Sequence, residues 1–403
     1  MAGDSGRTVR SFDAAASRGR AGAPISRVST DAVVSAIRDA AGSQTPIRIV
    51  GRSTWLDAGR PVRADKTLSM RDDSGVVSYV PGDLTLTVRA GATLSEIEAV
   101  TRERDQWLPL DPYGSPDGSI GATLATASAG PLSSSFGLAR DLVLGVEFVT
   151  GRGEVVRGGG KVVKNVAGFD LSRLITGSWG SLGVITEVTL RLYALPKADR
   201  TFGIALGGAE KETTSLLRAI VISPLSPFAL VLLNRRAATA VGEGGEPMAL
   251  IRFGGNEAMV RAQAAALTQI TSPREVDSAV WQRLRDFDGK AATVVRISTL
   301  PRRFLGVSAR ILADDVPETR MCIDPRRGVL RLAVGETGDG DGNAFNAGPV
   351  DVSGSAETIF EKLHPDIWKD VAPSAVSDAL SQGIKRAYDP HNILNPGILG
   401  DLS

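Results

Sequence analysis

Apolar positions recur with two rhythms along the chain, and the change between them divides it. Up to about Pro196 the pattern is strand-rich and punctuated by glycine. STDAVVSAIRDAAG predicts a helix with Thr30 as N-cap, a stripe through Val33, Val34 and Ile37, and Gly42 as its stop. TPIRIVG reads as a short buried strand. In LTLTVRA, Leu84, Leu86, Val88 and Ala90 alternate strictly with Thr85, Thr87 and Arg89, which predicts one buried and one solvated face. TLSEIEAVTRERDQ is a helix opening with a capping box, Thr93 and Glu96, above a stripe of Leu94, Ile97 and Val100. LVLGVEFVTGRGEVV reads as a hairpin closed at Gly151-Arg152-Gly153, and VITEVTLRL alternates again.

After Pro196, strands are spaced by longer helices. FALVLLN, PMALIRFGG, the helix NEAMVRAQAAALTQI, the strand ATVVRISTL and the hairpin RMCIDPRRGVLRLAV follow in order. That alternation predicts an α+β domain, an antiparallel sheet with helices on one face. ETGDGDGNAFNAGPVDVSGS is a polar loop. Asp339, Asp341 and Asn343 have some calcium-loop spacing, but Ala344 stands where glycine is needed and no glutamate closes the loop, so no metal is expected. The chain ends with the helix SAVSDALSQGIKRAY and then DPHNILNPGIL.

Composition narrows the class. At 403 residues the chain exceeds one ordinary core. The 46 Lys+Arg balance 45 Asp+Glu, and no basic block with interleaved aromatics marks a nucleic-acid surface. Cys322 is the only cysteine, which excludes an internal disulfide and a cysteine-rich metal site and fits a reducing compartment. No apolar run reaches the ~18 residues that span a bilayer. Residues 1–24 lack the apolar centre of a secretory signal; Asp4 and Asp13 argue against a transit peptide, and a mobile tail is expected. The expected location is cytoplasmic.

The most unusual stretch is GSIGATLATASAG at 118–130, where all but Ile120 and Leu124 are Gly, Ala, Ser or Thr. VVRGGGKVV lacks the first glycine and the hydroxyl of a phosphate loop, and GSWGSLG has the wrong spacing for a dinucleotide fingerprint. Two explanations remain for the small residues. Their backbone N–H groups line a pyrophosphate, or they allow tight strand–helix packing.

PGDLTLTVRAGATLSEIE, LPLDPYGSPDGSIGATLATASAG, the run KNVAGFDLSRLITGSWGSLGVIT and the terminal DPHNILNPG together resemble the FAD-binding domain of the vanillyl-alcohol-oxidase type. Within that type they resemble the FAD-binding subunits of bacterial glycolate oxidases, most strongly over 45–195 and again at 375–400. The resemblance implies an α+β fold: a two-subdomain FAD-binding domain at 25–195, an α+β cap with an antiparallel sheet at 196–370, and a segment at 371–403 returning to the FAD domain. It also implies site roles. Gly51, Arg52, Ser53 and Thr54 would border the pyrophosphate, although GRSTWLDAG has fewer glycines than the family's first loop. Asp111 and Pro112 run beside the cofactor. Ser119, Ile120, Gly121 and Ala122 form the second phosphate loop, closed by Thr126, Ser128 and Gly130, with Gly137 on the flavin side. Val184 and Ile185 face the adenine end, and Asn395 returns to the flavin. The first loop has no histidine to tether a flavin, so FAD is expected to bind noncovalently.

Oxidation of a 2-hydroxy acid needs a flavin beside its α carbon, a cation for its carboxylate and a base for its hydroxyl proton. The candidates are His391 in the terminal motif, and Arg326 and Arg327 on a hairpin turn, with Arg302 and Arg303 as further arginines. The paired-histidine metal site of the related catalytic subunits has no counterpart in MCIDPRRGVLRLAVGETGDGDG. Three functions follow. The first is the FAD-binding subunit of a glycolate oxidase complex, with a sister catalytic flavoprotein and an iron–sulfur subunit, peripheral to the inner membrane through those partners. The second is a stand-alone dehydrogenase of another hydroxy acid or alcohol, and the third a non-catalytic scaffold.

Overall fold

The computed structural model describes residues 29–160, 170–313, 316–335 and 356–401. The expected mobile tail at 1–24, the loop at 336–355 and the segment KNVAGF lie outside the described residues.

A five-stranded antiparallel sheet forms the first lobe, in the order Val76–Val80, Thr85–Arg89, Val184–Arg191, Val143–Val149, Val155–Gly159. Leu86 and Val88 are buried against the helices Leu94–Arg102 and Ile120–Thr126. The opposite face is not solvated as the alternation suggested. Thr85 and Thr87 are buried too, and the Thr87 hydroxyl lies 3.0 Å from that of Thr189. Leu84 is instead 37% exposed, in a left-handed conformation that closes the turn Pro81–Asp83. The helix Thr30–Ser43 buries Val33, Ile37 and Ala40 against Val149 and Val184 of the sheet. Its ends differ from expectation. Ser29 is the N-cap, accepting from Ala32 N, while the Thr30 hydroxyl donates to Glu147 Oε1 at 2.9 Å. Gly42 stays helical and Gln44 makes the left-handed exit. The capping box of Thr93 and Glu96 forms as the sequence predicts.

Beside this sheet, Ile47–Val50 pairs in parallel with Lys66–Ser69, and Leu394 bridges to Ile47 on the other side. The terminal segment is pinned there. Lys385, at the end of the helix Ala379–Tyr388, donates to Ser181 O and to the buried Asp389, which accepts from the amides of Ile393 and Leu394. A buried charge pair is tolerated because nearly every polar atom of it is bonded.

The second lobe is one eight-stranded antiparallel sheet. Its order is Arg274–Val276, Ala198–Ala205, Met248–Gly255, Ala229–Leu233, Thr319–Asp324, Val329–Val334, Thr293–Ser298, Glu357–Lys362. Helices cover both of its faces, not one. Glu210–Ile222, Glu257–Thr268 and Pro301–Ala313 pack on Leu230 and Leu232. The shorter Arg235–Ala240 and Ala279–Arg285 pack on Ala229, Val231 and Leu233. Double coverage explains why ALVLL is apolar at every position where a half-solvated strand would alternate. An aromatic cluster joins the lobes: Phe136 sits edge-on to Phe228 at 4.9 Å and to Tyr193 at 5.3 Å, and Trp107 stacks on Phe228.

Candidate functional site

The strand Ile47–Val50 runs out into the loop from Gly51, which forms one wall of a long cleft. The cleft holds about 1190 Å³ of space that is partly open to solvent. Among the described residues, no acceptor takes the amides of Arg52, Ser53, Thr54 or Trp55. Ser53 holds φ at 61°, and a left-handed residue between ordinary ones turns successive N–H groups toward a common concavity, a shape that suits an anion. The Arg52 side chain is held by bonds to Gly91 O and Glu96.

Asn395 holds the loop's base. Its side chain accepts from Ile49 N and donates to Trp179 O, both at 2.7 Å. Asn395 and Trp179 are themselves left-handed, at φ 43° and 53°. Three non-glycine residues in this conformation around one cleft mark backbone strain that the surrounding contacts maintain. Trp179 and Trp55 face each other with ring centroids 6.1 Å apart.

The opposite wall carries the small-residue run, and it differs from the phosphate-loop expectation. Ser119 caps the helix Ile120–Thr126, but Ile120 N donates to Ala92 O and Gly121 N to Ala90 O, at 2.9 and 2.8 Å. Those amides are already used. Gly121 is small because a Cβ there would lie 2.8 Å from Ala90 Cβ; at Gly51 one would meet Ser119 Oγ at 2.3 Å, and at Gly130 Asp111 O at 1.9 Å. The Thr126 hydroxyl is bonded within its helix to Ala122 O. Ser128 Oγ, in contrast, is buried in the cleft wall with no partner among the described residues.

Pro112, Ala122 and Ile185 also line this cleft, whereas Asp111, Ile120, Gly137 and Val184 do not. Ile120 and Val184 are core residues with no exposure, and Gly137 ends the short helix Ser133–Phe136. Asp111 accepts from Leu132 N, and burial pushes its carboxyl up to about 7.

A second cavity lies between the lobes, and Tyr113 lines both. Ala127, Ala129, Gly130 and Pro131 form its first-lobe wall, continuing the small-residue run that lines the cleft. The cap wall is charged. Arg331 is buried against Asp288 and Glu361, with Nε 2.9 Å from Asp288 Oδ1 and Nη1 2.7 Å from Glu361 Oε2, and those carboxylates hold its guanidinium above the ordinary range despite desolvation. Arg296 Nε adds a 2.8 Å bond to Glu361. Arg327 donates to Ser133 Oγ at 2.7 Å; burial lowers its pKa, and the neighbouring charges of Arg296 and Arg140 lower it further. Arg140 lines the cavity with no partner among the described residues. Arg326 does not line it, donating to Ser135 Oγ and Pro227 O across the lobe interface. His391 is exposed and lines neither space. Sequence reasoning missed Arg140, Arg296, Tyr113 and Asp324, which come from four separate segments and share no local motif.

The FAD binding domain family matches residues 25–159. The glycolate oxidase subunit GlcE of Escherichia coli is 34% identical over 67% of this chain and 73% of its own. The chain belongs to the family of FAD-binding glycolate oxidase subunits. The glycolate oxidase subunit GlcD of Bacillus subtilis is 26% identical over 98% of this chain and 92% of its own. Among solved structures, the 4-ethylphenol oxidase of Gulosibacter chungangensis with isoeugenol superimposes with a TM-score of 0.69 at 16% identity, covering 94% of this chain and 89% of that one. p-Cresol methylhydroxylase with substrate bound gives the same score and identity over 94% and 88%. Both share the fold, that of the vanillyl-alcohol-oxidase type.

The chain is therefore an FAD-dependent oxidoreductase. The cleft fits the cofactor: it offers unpaired amides at Arg52–Trp55 for a diphosphate, an unpaired hydroxyl at Ser128, and no side chain bulkier than Thr from Ala125 to Ser128. Among the described residues no helix is long and apolar enough to cross a membrane.

Proposed function

We propose that this chain is the FAD-carrying subunit of a complex that oxidises glycolate or a closely related small 2-hydroxy acid. One observation carries the reading: the cofactor cleft adjoins a second, cation-lined cavity, and Tyr113 lines both. A flavin held in the first space would supply the two-electron acceptor within reach of a ligand in the second. Gly51, Arg52, Ser53 and Thr54 would border the diphosphate, Ser128 and Thr126 the body of the cofactor, and Asn395 would set the loop position. FAD would be held noncovalently, the first loop offering no histidine to tether it.

In the second cavity, Arg327 and Arg140 would take the carboxylate. Arg140 has no hydrogen bond or ion pair among the described residues, while Arg327 donates to Ser133 Oγ. The buried Arg331–Asp288–Glu361 group stiffens the sheet behind them at no net attraction for the ligand, its charges being mutually satisfied. Electrons would leave to an iron–sulfur partner beside a sister flavoprotein. The single Cys322 is buried, and desolvation raises its thiol to about 12, so this chain offers no thiolate set for a cluster.

The stand-alone dehydrogenase is favoured by a different fact: the cation-lined cavity lies wholly within this chain. The test is anaerobic addition of glycolate or D-lactate to the purified yellow protein. Bleaching only after the sister subunits are added supports the complex. Bleaching of the isolated chain supports the second reading. A colourless protein, or a flavin that no arrangement reduces, overturns both and leaves the scaffold.

A further inference from the structure

Asp324 ends the strand Thr319–Asp324 at the hairpin turn and lines the second cavity. Its Oδ1 accepts from both Arg326 N and Arg327 N at 3.0 Å, which fixes the carboxylate plane. A turn-making aspartate needs no more than that. Yet Oδ2 is buried, on a residue 8% exposed, with no partner among the described residues. A naked buried acceptor is destabilising and calls for a reason beyond the turn.

Resting on the hydroxy-acid reading above, we propose that Asp324 is the catalytic base of this site. Its Oδ2 accepts the hydroxyl proton of a small 2-hydroxy acid whose carboxylate lies against Arg327 and Arg140. As the O–H bond breaks and the C=O bond forms, the hydrogen on the α carbon leaves with its electron pair, and FAD is the oxidant that takes it.

The other titratable groups around the cavity are unsuited to the task. Tyr113 is pushed well above the ordinary phenol range by burial, and its hydroxyl is 3.6 Å from Cys322 Sγ. Cys322 is itself raised to about 12 by burial. Glu361 is held below the usual carboxylate range by Arg331 and Arg296, against desolvation, and both its oxygens are engaged. Arg140, Arg296, Arg327 and Arg331 are cations, and Asp288 pairs with Arg331. Burial raises Asp324 to about 6, opposed by the Arg327 amide and guanidinium and by Arg326. Such a group is ionised at neutral pH and still basic enough to hold a proton. The sign follows: the base is lost by protonation below about pH 6, so kcat/KM falls on the acid side.

The experiment uses the FAD-loaded full chain, with its partner subunits if turnover needs them. Asp324→Asn should lower kcat/KM for glycolate or D-lactate by between about 100- and 10,000-fold. It should abolish the acid limb near pH 6 and leave FAD retention unchanged, because the amide oxygen can still accept from Arg326 and Arg327. Asp324→Glu should retain the limb at a lower rate. Oxalate gives a readout that needs no turnover. Its second carboxylate would lie beside Oδ2 and raise the aspartate pKa, so calorimetry at pH 7 in buffers of different ionisation heat should show uptake of roughly one proton, absent in Asp324→Asn. Unchanged kcat/KM in Asp324→Asn, or equal proton uptake in both proteins, overturns the assignment. If no hydroxy acid reduces the wild-type flavin, the functional reading fails separately, and the oxalate measurement still decides for or against Asp324: without proton uptake by the wild type the proposal is lost.

Discussion

The two walls of the cofactor cleft solve one problem by opposite means. The wall at 119–122 has almost no side-chain bulk, but the amides of Ile120 and Gly121 are bonded to Ala92 and Ala90. The wall at Arg52–Trp55 has no glycine among those four residues, yet these are the amides left unpaired. Smallness therefore reports close packing, here of a helix on a strand edge, and not the presence of free donors. Free donors come from backbone conformation, set by Ser53 in the left-handed region and by the Asn395 clamp beneath it.

The contrast can be broken most forcibly at Gly121. Gly121→Val would drive a branched side chain into Ala90, and an overpacked strand–helix contact should cost about 3 kcal/mol, read as a lower melting temperature of the apo protein. A variant that melts like wild type but no longer retains flavin would restore the phosphate-loop role of 119–122. Asn395→Ala is next. It removes two hydrogen bonds and forces a left-handed alanine, a loss of about 2 kcal/mol, and it should weaken FAD by tenfold or more by releasing the Arg52–Trp55 loop. Equilibrium dialysis with FAD checks it; a stability loss with unchanged affinity would detach the clamp from the cofactor. Ser128→Ala should have the smallest effect and two signs: FAD binding weaker by about 1 kcal/mol, or roughly fivefold, and an apo protein no less stable, since its hydroxyl has no internal partner. Lower apo stability without a change in affinity would mean that the hydroxyl serves the fold.

Much of this architecture is legible in the chain. Periodicity locates the capping box at Thr93 and Glu96 and the hairpin at Val143–Gly159, because local rules set both. The solvation of sheet faces is not legible: Thr85 and Thr87 are buried although they alternate with the apolar positions, and the second lobe's sheet is covered on both sides. At the site, the terminal DPHNILNPG carries the signal for Asn395. Asp324, in DPRR, reads as an ordinary turn residue; only the fold places it on a cavity shared with Arg140 and Arg327 and leaves one of its oxygens unpaired among the described residues. The same fold removes His391 from consideration, for exposure is a property no local pattern gives.

In the proposed reading, amides of the first loop, and not those of the small-residue run, would hold the diphosphate. Amide hydrogen exchange, resolved by residue with and without FAD, tests it most directly. The amides of Arg52 to Trp55 should exchange freely in the apo protein and become protected when FAD binds, while Ile120 and Gly121 stay protected throughout. Free exchange at Ile120 and Gly121 that stops on FAD binding, with Arg52–Trp55 unchanged, would contradict it.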